Sequence, residues 1–355
     1  MTDAGQVQLI EESFADKALN WMKSAAGITI IASVAAVILG SIDKGPYIIV
    51  NTLVTGGMWA LMAVGLTLVF AVMNLANFAY GEYFMIGTLV AYFIFTPLHK
   101  FLSVNHNIAL VVFAPIIAIV SAFFVGGFAG ALTDKIVFVP LRKRSKEQWM
   151  MNCFLVTLGL SQILANGHQL IFGNVFKGIV RYWEVPAVKL FGVYTSVDRV
   201  FVFLLALVII GLFGLFMKFS RLGRAVRAVS QDESGALMVG ISVPRIHTFT
   251  LGMSCALAGL AGASLLFMFP SNPTVGLIPL MNSWYVMIVV GLGNVTGAIA
   301  GGFIIALAQV LTRTYFGEGW ETIFPVLMIS AVLVFKPNGI FGAKVRGIWE
   351  REERT

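Results

Sequence analysis

Glu82 is the residue with the most chemistry to explain. It lies in the stretch Asn74–Tyr83, NLANFAYGEY, between the apolar runs Tyr47–Met73 and Phe84–Phe95. An ionisable group inside such a run costs about 2.5–3.5 kcal/mol on insertion scales, so it is expected to face protein or water. Its partner would be Asn74, Asn77 or a neighbouring helix. Two readings fit these residue types: a polar wall for a solute that lipid excludes, or a set of caps at helix ends near an interface. Other chemistry finds little to work with. The four histidines, His99, His106, His168 and His247, lack metal-ligand spacing, and no His, Asp or Cys cluster sits inside the apolar runs. No metal and no catalytic residue are therefore expected, and a membrane-embedded enzyme is set aside. Cys153 and Cys255 lie far apart in apolar runs and read as packing residues.

The elements that must position Glu82 follow from composition. The chain is 58% hydrophobic and 12% charged, with mean hydropathy +0.89. A soluble domain is about 25% charged. Several runs approach the roughly 20 residues that cross a bilayer and are apolar all round, without the alternation of barrel strands. The expected fold is all-α, a polytopic membrane bundle. Ten apolar segments are visible, at 25–42, 47–73, 84–97, 108–133, 149–172, 200–217, 246–269, 281–292, 298–312 and 322–335. Some are too short to span alone, giving eight to ten crossings. Residues 1–24 are polar and acidic rather than basic, so 25–42 reads as a retained first span rather than a signal peptide.

The net charge of +7 points to topology, not to nucleic acid. Lys135, Arg142, Lys143, Arg144 and Lys146 share one linker. A second linker, 218–245, and a tail, 337–355, are similarly basic. All three are expected to be cytoplasmic, with both termini inside. By parity the long connection Gly173–Asp198 falls outside, despite its three basic residues.

A second interruption occurs in Met287–Leu311, where an apolar segment breaks at GNVTGA and resumes. Paired discontinuities mark transport pathways, because freed backbone groups are tolerable only inside protein or beside water. Asn294 and Thr296 join Asn74, Asn77 and Glu82 as expected path-lining residues. Gly126 with Gly130, and Gly293 with Gly297 and Gly301, have the spacing of close helix packing.

The linker 218–245 carries Arg221, Arg224 and Arg227 at i, i+3, stacked along one side of a helix beside the strip Leu222, Val226 and Val229. SQDESGALMVGI then supplies a turn and a second short helix. This amphipathic pair looks built to seat in another protein's groove; the alternative is a basic helix lying on anionic lipid.

GLTLVFAVMNLANFAYGEYFMIGTLVAY, SRLGRAVRAVSQDESGALMVGI, GLAGASLLF and GLGNVTGAIAGGFIIALAQ resemble the branched-chain amino acid permease family of ABC importers, over about Tyr47–Gly342. The resemblance implies an inner-membrane permease subunit that pairs with a second permease, more as a heterodimer than a homodimer. It also implies two cytoplasmic ABC ATPase subunits and a periplasmic solute-binding protein. The stretch Arg221–Gly240, with Arg221, Arg224, Arg227, Asp232 and Gly240, matches the segment that docks the ATPase. Related permeases carry urea, short amides or small carboxylates, and a stand-alone channel or ion-coupled carrier for a small polar solute is the rival class. The chain has no GxxxxGK[ST] phosphate loop, so no cofactor is expected in it, and ATP with Mg²⁺ would be used by the ATPase partners.

Overall fold

The computed structural model describes residues 24–105, 108–144, 149–183, 185–190 and 192–342. The polar N-terminal segment before Ser24, the linker residue Lys146 and the tail beyond Gly342 lie outside the described residues. Among those described, the chain forms thirteen α-helices and one short hairpin. The helices are α1 (Ala25–Lys44), α2 (Tyr47–Met73), α3 (Tyr80–Asn105), α4 (Ile108–Thr133), α5 (Val139–Arg144), α6 (Trp149–Phe172) and α7 (Val197–Phe219). They continue as α8 (Arg221–Gln231), α9 (Glu233–Met238), α10 (Val243–Ser264), α11 (Leu277–Val290), α12 (Val295–Phe316) and α13 (Ile323–Phe335). One wide helical turn, Asp134–Phe138, joins α4 to α5.

Among the described residues, nine helical stretches are long and apolar enough to cross a membrane. Each of the ten apolar segments is helical over most of its length. The eighth forms most of α11, which has 14 residues, or about 21 Å at 1.5 Å per residue, too short for a hydrocarbon core of about 30 Å. The chain is a multi-pass membrane protein.

Burial sorts these helices into layers. Over their most apolar 18 residues, 89% of positions are buried in α2 and 83% in α10, against 11% in α1 and in α6. Thus α2 and α10 are central, while α1, α6, α7 and α13 face outward. Lipid provides no hydrophobic drive between helices, so close approach depends on small side chains. Gly126 and Gly130 of α4 lie against Cys255 of α10, and Gly302 of α12 lies against Ala60 of α2. The i, i+4 glycine spacing therefore serves packing.

The connection between α6 and α7 carries the hairpin Val188–Leu190 with Val193–Thr195. It is pinned to the bundle. Tyr182 is buried and its hydroxyl donates to the Ala263 carbonyl, and the Tyr182 N–H donates to Asp198 Oδ1 at 3.0 Å. Lys177 and Ser271 exchange backbone hydrogen bonds, at 3.0 and 2.8 Å.

Candidate functional site

The first interruption is real and begins at Asn74. Asn74 ends α2 in the left-handed region, φ 48° and ψ 39°, with its N–H on the Phe70 carbonyl; asparagine is among the few residues that tolerate this. Residues 74–79 are not helical. Asn77 is buried and its Oδ1 accepts from the Ala79 N–H at 3.1 Å, just ahead of α3. Both asparagines thus sit at helix ends, and Asn74 is exposed.

The chain freed at this break is held by one face of α6. Trp149 Nε1 donates to the Met73 carbonyl at 3.1 Å, Thr157 Oγ1 to the Ala76 carbonyl at 3.2 Å and Ser161 Oγ to Glu82 Oε1 at 2.9 Å. Positions 149, 157 and 161 fall on one helical stripe. From Trp149 to Ser161 is twelve residues along α6, about 18 Å of rise. The break therefore climbs from one end of the bundle to about mid-depth, and Glu82 sits there in the first turn of α3. Glu82 is 3% exposed. Its second oxygen, Oε2, has no protein partner among the described residues. Of the expected partners, the neighbouring helix supplies it, through Ser161 of α6, and not Asn74 or Asn77.

The second interruption, Gly291–Asn294, is a tight turn in which Gly291 (φ 111°) and Gly293 (φ 83°) take conformations closed to other residues. Asn294 caps α12. Its Oδ1 accepts from the Gly297 N–H at 2.9 Å and the Thr296 hydroxyl at 3.0 Å, while its Nδ2 donates to the Phe341 carbonyl at 2.8 Å. The chain after α13 returns here, with the Ile340 and Phe341 N–H groups on the Val289 and Val290 carbonyls. Residues 337–342 thus stay on the bundle.

The second break lies beside the start of the first, at the end of α2, and not beside Glu82. Gly293 lies beside Ala71, near the end of α2, whereas Glu82 is at mid-depth. The segment that meets the start of α3, just past the first break, is Leu265–Gly276, between α10 and α11, whose first residues the sequence reading took as the end of the apolar segment 246–269. There the Gly276 and Gly81 backbones touch. The half-length α11 runs from this contact back to Gly291.

Asn294 and Thr296 instead line a cavity of about 930 Å³. Its other walls are α2 from Val64 to Val72, the end of α7, and the inner side of α8 with Val226 and Arg227. Two expected path residues and one expected docking residue therefore share a cavity.

The α8–α9 pair forms as the sequence suggested. Ser220 caps α8, accepting from the Gly223 N–H at 2.8 Å, and Asp232 caps α9, accepting from the Ser234 N–H at 3.0 Å. Gly240 closes the pair at φ 82°. The expected apolar strip divides: Val226 and Val229 are buried against the bundle, while Leu222 is exposed. Arg221, Arg224 and Arg227 are all exposed. Arg224 and Arg227 also curl back to the Phe219 and Lys218 carbonyls, at 2.9 and 3.3 Å, where the end of α7 leaves acceptors free. The outward surface carries Leu222, Leu237, Met238 and Val239, which are exposed.

Two clusters were not singled out by the sequence. Asp134 is fully buried and lies 2.6 Å from Arg142 Nη2, with the Thr248 hydroxyl on its other oxygen at 2.5 Å. Arg142 in turn stacks over Trp149 at 5.4 Å. Deeper, Trp59 Nε1 donates to Gln309 Oε1 at 2.8 Å, and Gln309 Nε2 donates to Asn282 Oδ1 at 2.6 Å. This chain ties α2, α12 and the half-length α11 together. Polar residues inside apolar runs were its available signal.

The family model described as branched-chain amino acid transport system, permease component, matches residues 48–333. Among curated relatives, the high-affinity branched-chain amino acid transport system permease protein BraD of Pseudomonas aeruginosa is 28% identical over 302 residues, covering 83% of this chain and 94% of that protein. LivH of Escherichia coli K12, a permease protein of the same description, is 26% identical over 82% of this chain and 94% of its own length. The probable branched-chain amino acid transport permease protein LivH of Methanocaldococcus jannaschii is 28% identical over 320 residues, 86% of this chain and 94% of that protein. No solved structure matches the chain significantly. A family match over residues 48–333, on a bundle with broken helices and a two-helix module at one end, has one consequence: the chain belongs to the branched-chain amino acid transport system permease components.

Proposed function

We propose that this chain is the membrane-spanning permease subunit of an ABC importer for branched-chain, aliphatic amino acids. In this reading it resides in the bacterial inner membrane with both termini cytoplasmic. It pairs with a second, different permease subunit and receives solute from a periplasmic binding protein at the pinned outer connection. Two ABC ATPases seat on α8–α9, using ATP and Mg²⁺, and the chain itself contributes no catalytic group. The observation that carries the reading is the 930 Å³ cavity, which sets the docking module directly against the second break and the end of α2.

The geometry suggests how force becomes access. The outward face of α8–α9 offers apolar side chains and Arg221 to an ATPase groove, while its inner face rests on the bundle through Val226 and Val229. The cavity leaves room for the module to move inward. Glu82, with one oxygen unpaired at mid-depth, can accept from the ammonium of an amino acid. Selectivity rests with the binding protein, so a tight site in the membrane is not needed.

The test uses Thr296→Cys in the reconstituted complex. Thr296 is exposed and lines the cavity, so a bulky thiol reagent will fill the space. The expected result is loss of solute-stimulated ATP hydrolysis and uptake with the ATPases still bound. Undiminished uptake after complete labelling would overturn the reading.

A further inference from the structure

A groove of about 580 Å³ runs along the outward surface between α4 and α10. It exists because the helices approach closely at small residues: Gly127 and Gly252 form its floor, and their backbones nearly meet. Phe124, Phe128, Phe249 and Met253 form its walls, with Phe124 and Phe128 strongly exposed. At the end nearest the α8–α9 module the groove meets Lys135 and Arg245, both exposed. Neither is in an ion pair among the described residues. Asp134, next to Lys135 in the chain, is already held by Arg142 and Thr248.

We propose that this groove binds one anionic phospholipid, with an acyl chain along the aromatic walls and its phosphate between Lys135 and Arg245. The charge arrangement selects this occupant. An apolar helix would fill the walls but leave two cations without counter-charge, whereas a lipid with net negative charge satisfies both parts. A zwitterionic lipid brings its own cation to the same place and gains less. Bound there, the lipid would bridge α4 and the start of α10, the helix that leads out of the module. The site stands independently of the transported solute and of membrane orientation.

The experiment is native mass spectrometry of the delipidated full complex, titrated with phosphatidylglycerol and with phosphatidylcholine of identical chains. The expected result is selective retention of phosphatidylglycerol. In Lys135→Gln with Arg245→Gln it weakens roughly thirtyfold, the worth of two basic side chains at a membrane surface. Both side chains are exposed, so the variant is expected to fold. Equal binding of the two lipids by the unaltered complex, or no change in the double variant, would overturn the proposal. A second measurement places a photo-crosslinking amino acid at Phe128. Transfer to lipid supports the site, and transfer to the second permease subunit refutes it.

Discussion

Trp149→Phe isolates one link between the module and the first break. The indole N–H is the donor to the Met73 carbonyl, at 3.1 Å. That carbonyl belongs to the last turn of α2 and has no partner within its own helix. Met73 is 4% exposed, so water cannot freely take the place of the indole. A neutral bond of this kind contributes about 0.5–1.5 kcal/mol net, and an orphaned buried acceptor costs about 1–3 kcal/mol. Phenylalanine keeps a ring beneath Arg142, now 5.4 Å from the indole, so the ion pair with Asp134 should persist. A shift of about 1 kcal/mol changes an equilibrium between two arrangements of the break roughly fivefold. The assay is solute moved per ATP hydrolysed in proteoliposomes holding the full complex. The ratio is expected to fall severalfold, with ATPase subunits bound as before. An unchanged ratio would refute the idea that the break is latched to α6 during the working cycle.

Two further outcomes concern how the half-length helix is held. Trp59→Phe and Gln309→Leu should not be additive: a double-mutant cycle read by detergent unfolding is expected to give a coupling of about 0.6–1.7 kcal/mol, the range for hydrogen bonds between membrane helices; strict additivity would mean that apolar packing alone retains α11. Gly81→Ala would bring a Cβ to 2.5 Å from the Gly276 carbonyl, and such overpacking costs about 1–3 kcal/mol; the variant complex should unfold at lower temperature, and an unaltered midpoint would show that α3 and α11 separate without cost.

What could be read in advance follows from the solvent. Lipid demands continuous apolar helices, so all ten segments were visible, and a glutamate in such a run had to be buried. Its partner was not visible, because Ser161 is 79 positions away and a serine in a membrane helix carries no sign of its role. GNVTG was legible as a break, but its depth was not. Depth is a relation between helices, and only the contact of Gly293 with Ala71 places this turn near the end of α2. That Leu265–Phe269 belong to the connection after α10 escaped notice because they continue an apolar run. On α8 the arginine spacing predicted a common side. It could not reveal that Arg224 and Arg227 turn back toward carbonyls, since those acceptors exist only once α7 has ended.

In the proposed cycle, two routes lead from the module into the bundle, and both reach the end of α2 through non-covalent contacts. One passes through α8, whose Gly223 rests on the Met217 backbone and whose Val226 faces α2 across the shared cavity. The other leaves α9 into α10, where Thr248 holds Asp134, Asp134 holds Arg142, and Arg142 lies on Trp149 with its bond to Met73. A displacement of the module therefore bears on α2 from two directions. Helices transmit such a load along their length because each residue is fixed by its own backbone bond. Residues 74–79 are not helical and are fastened to α6 by the Thr157 bond to Ala76, with Trp149 holding the adjoining Met73 and Ser161 the adjoining Glu82. Each of these bonds contributes only about 1 kcal/mol. The polar chain Trp59, Gln309 and Asn282 ties α11 and α12 to the middle of α2, so those three helices move together. On that proposal the yielding point is the first break, and the ionisable group that adjoins it is Glu82.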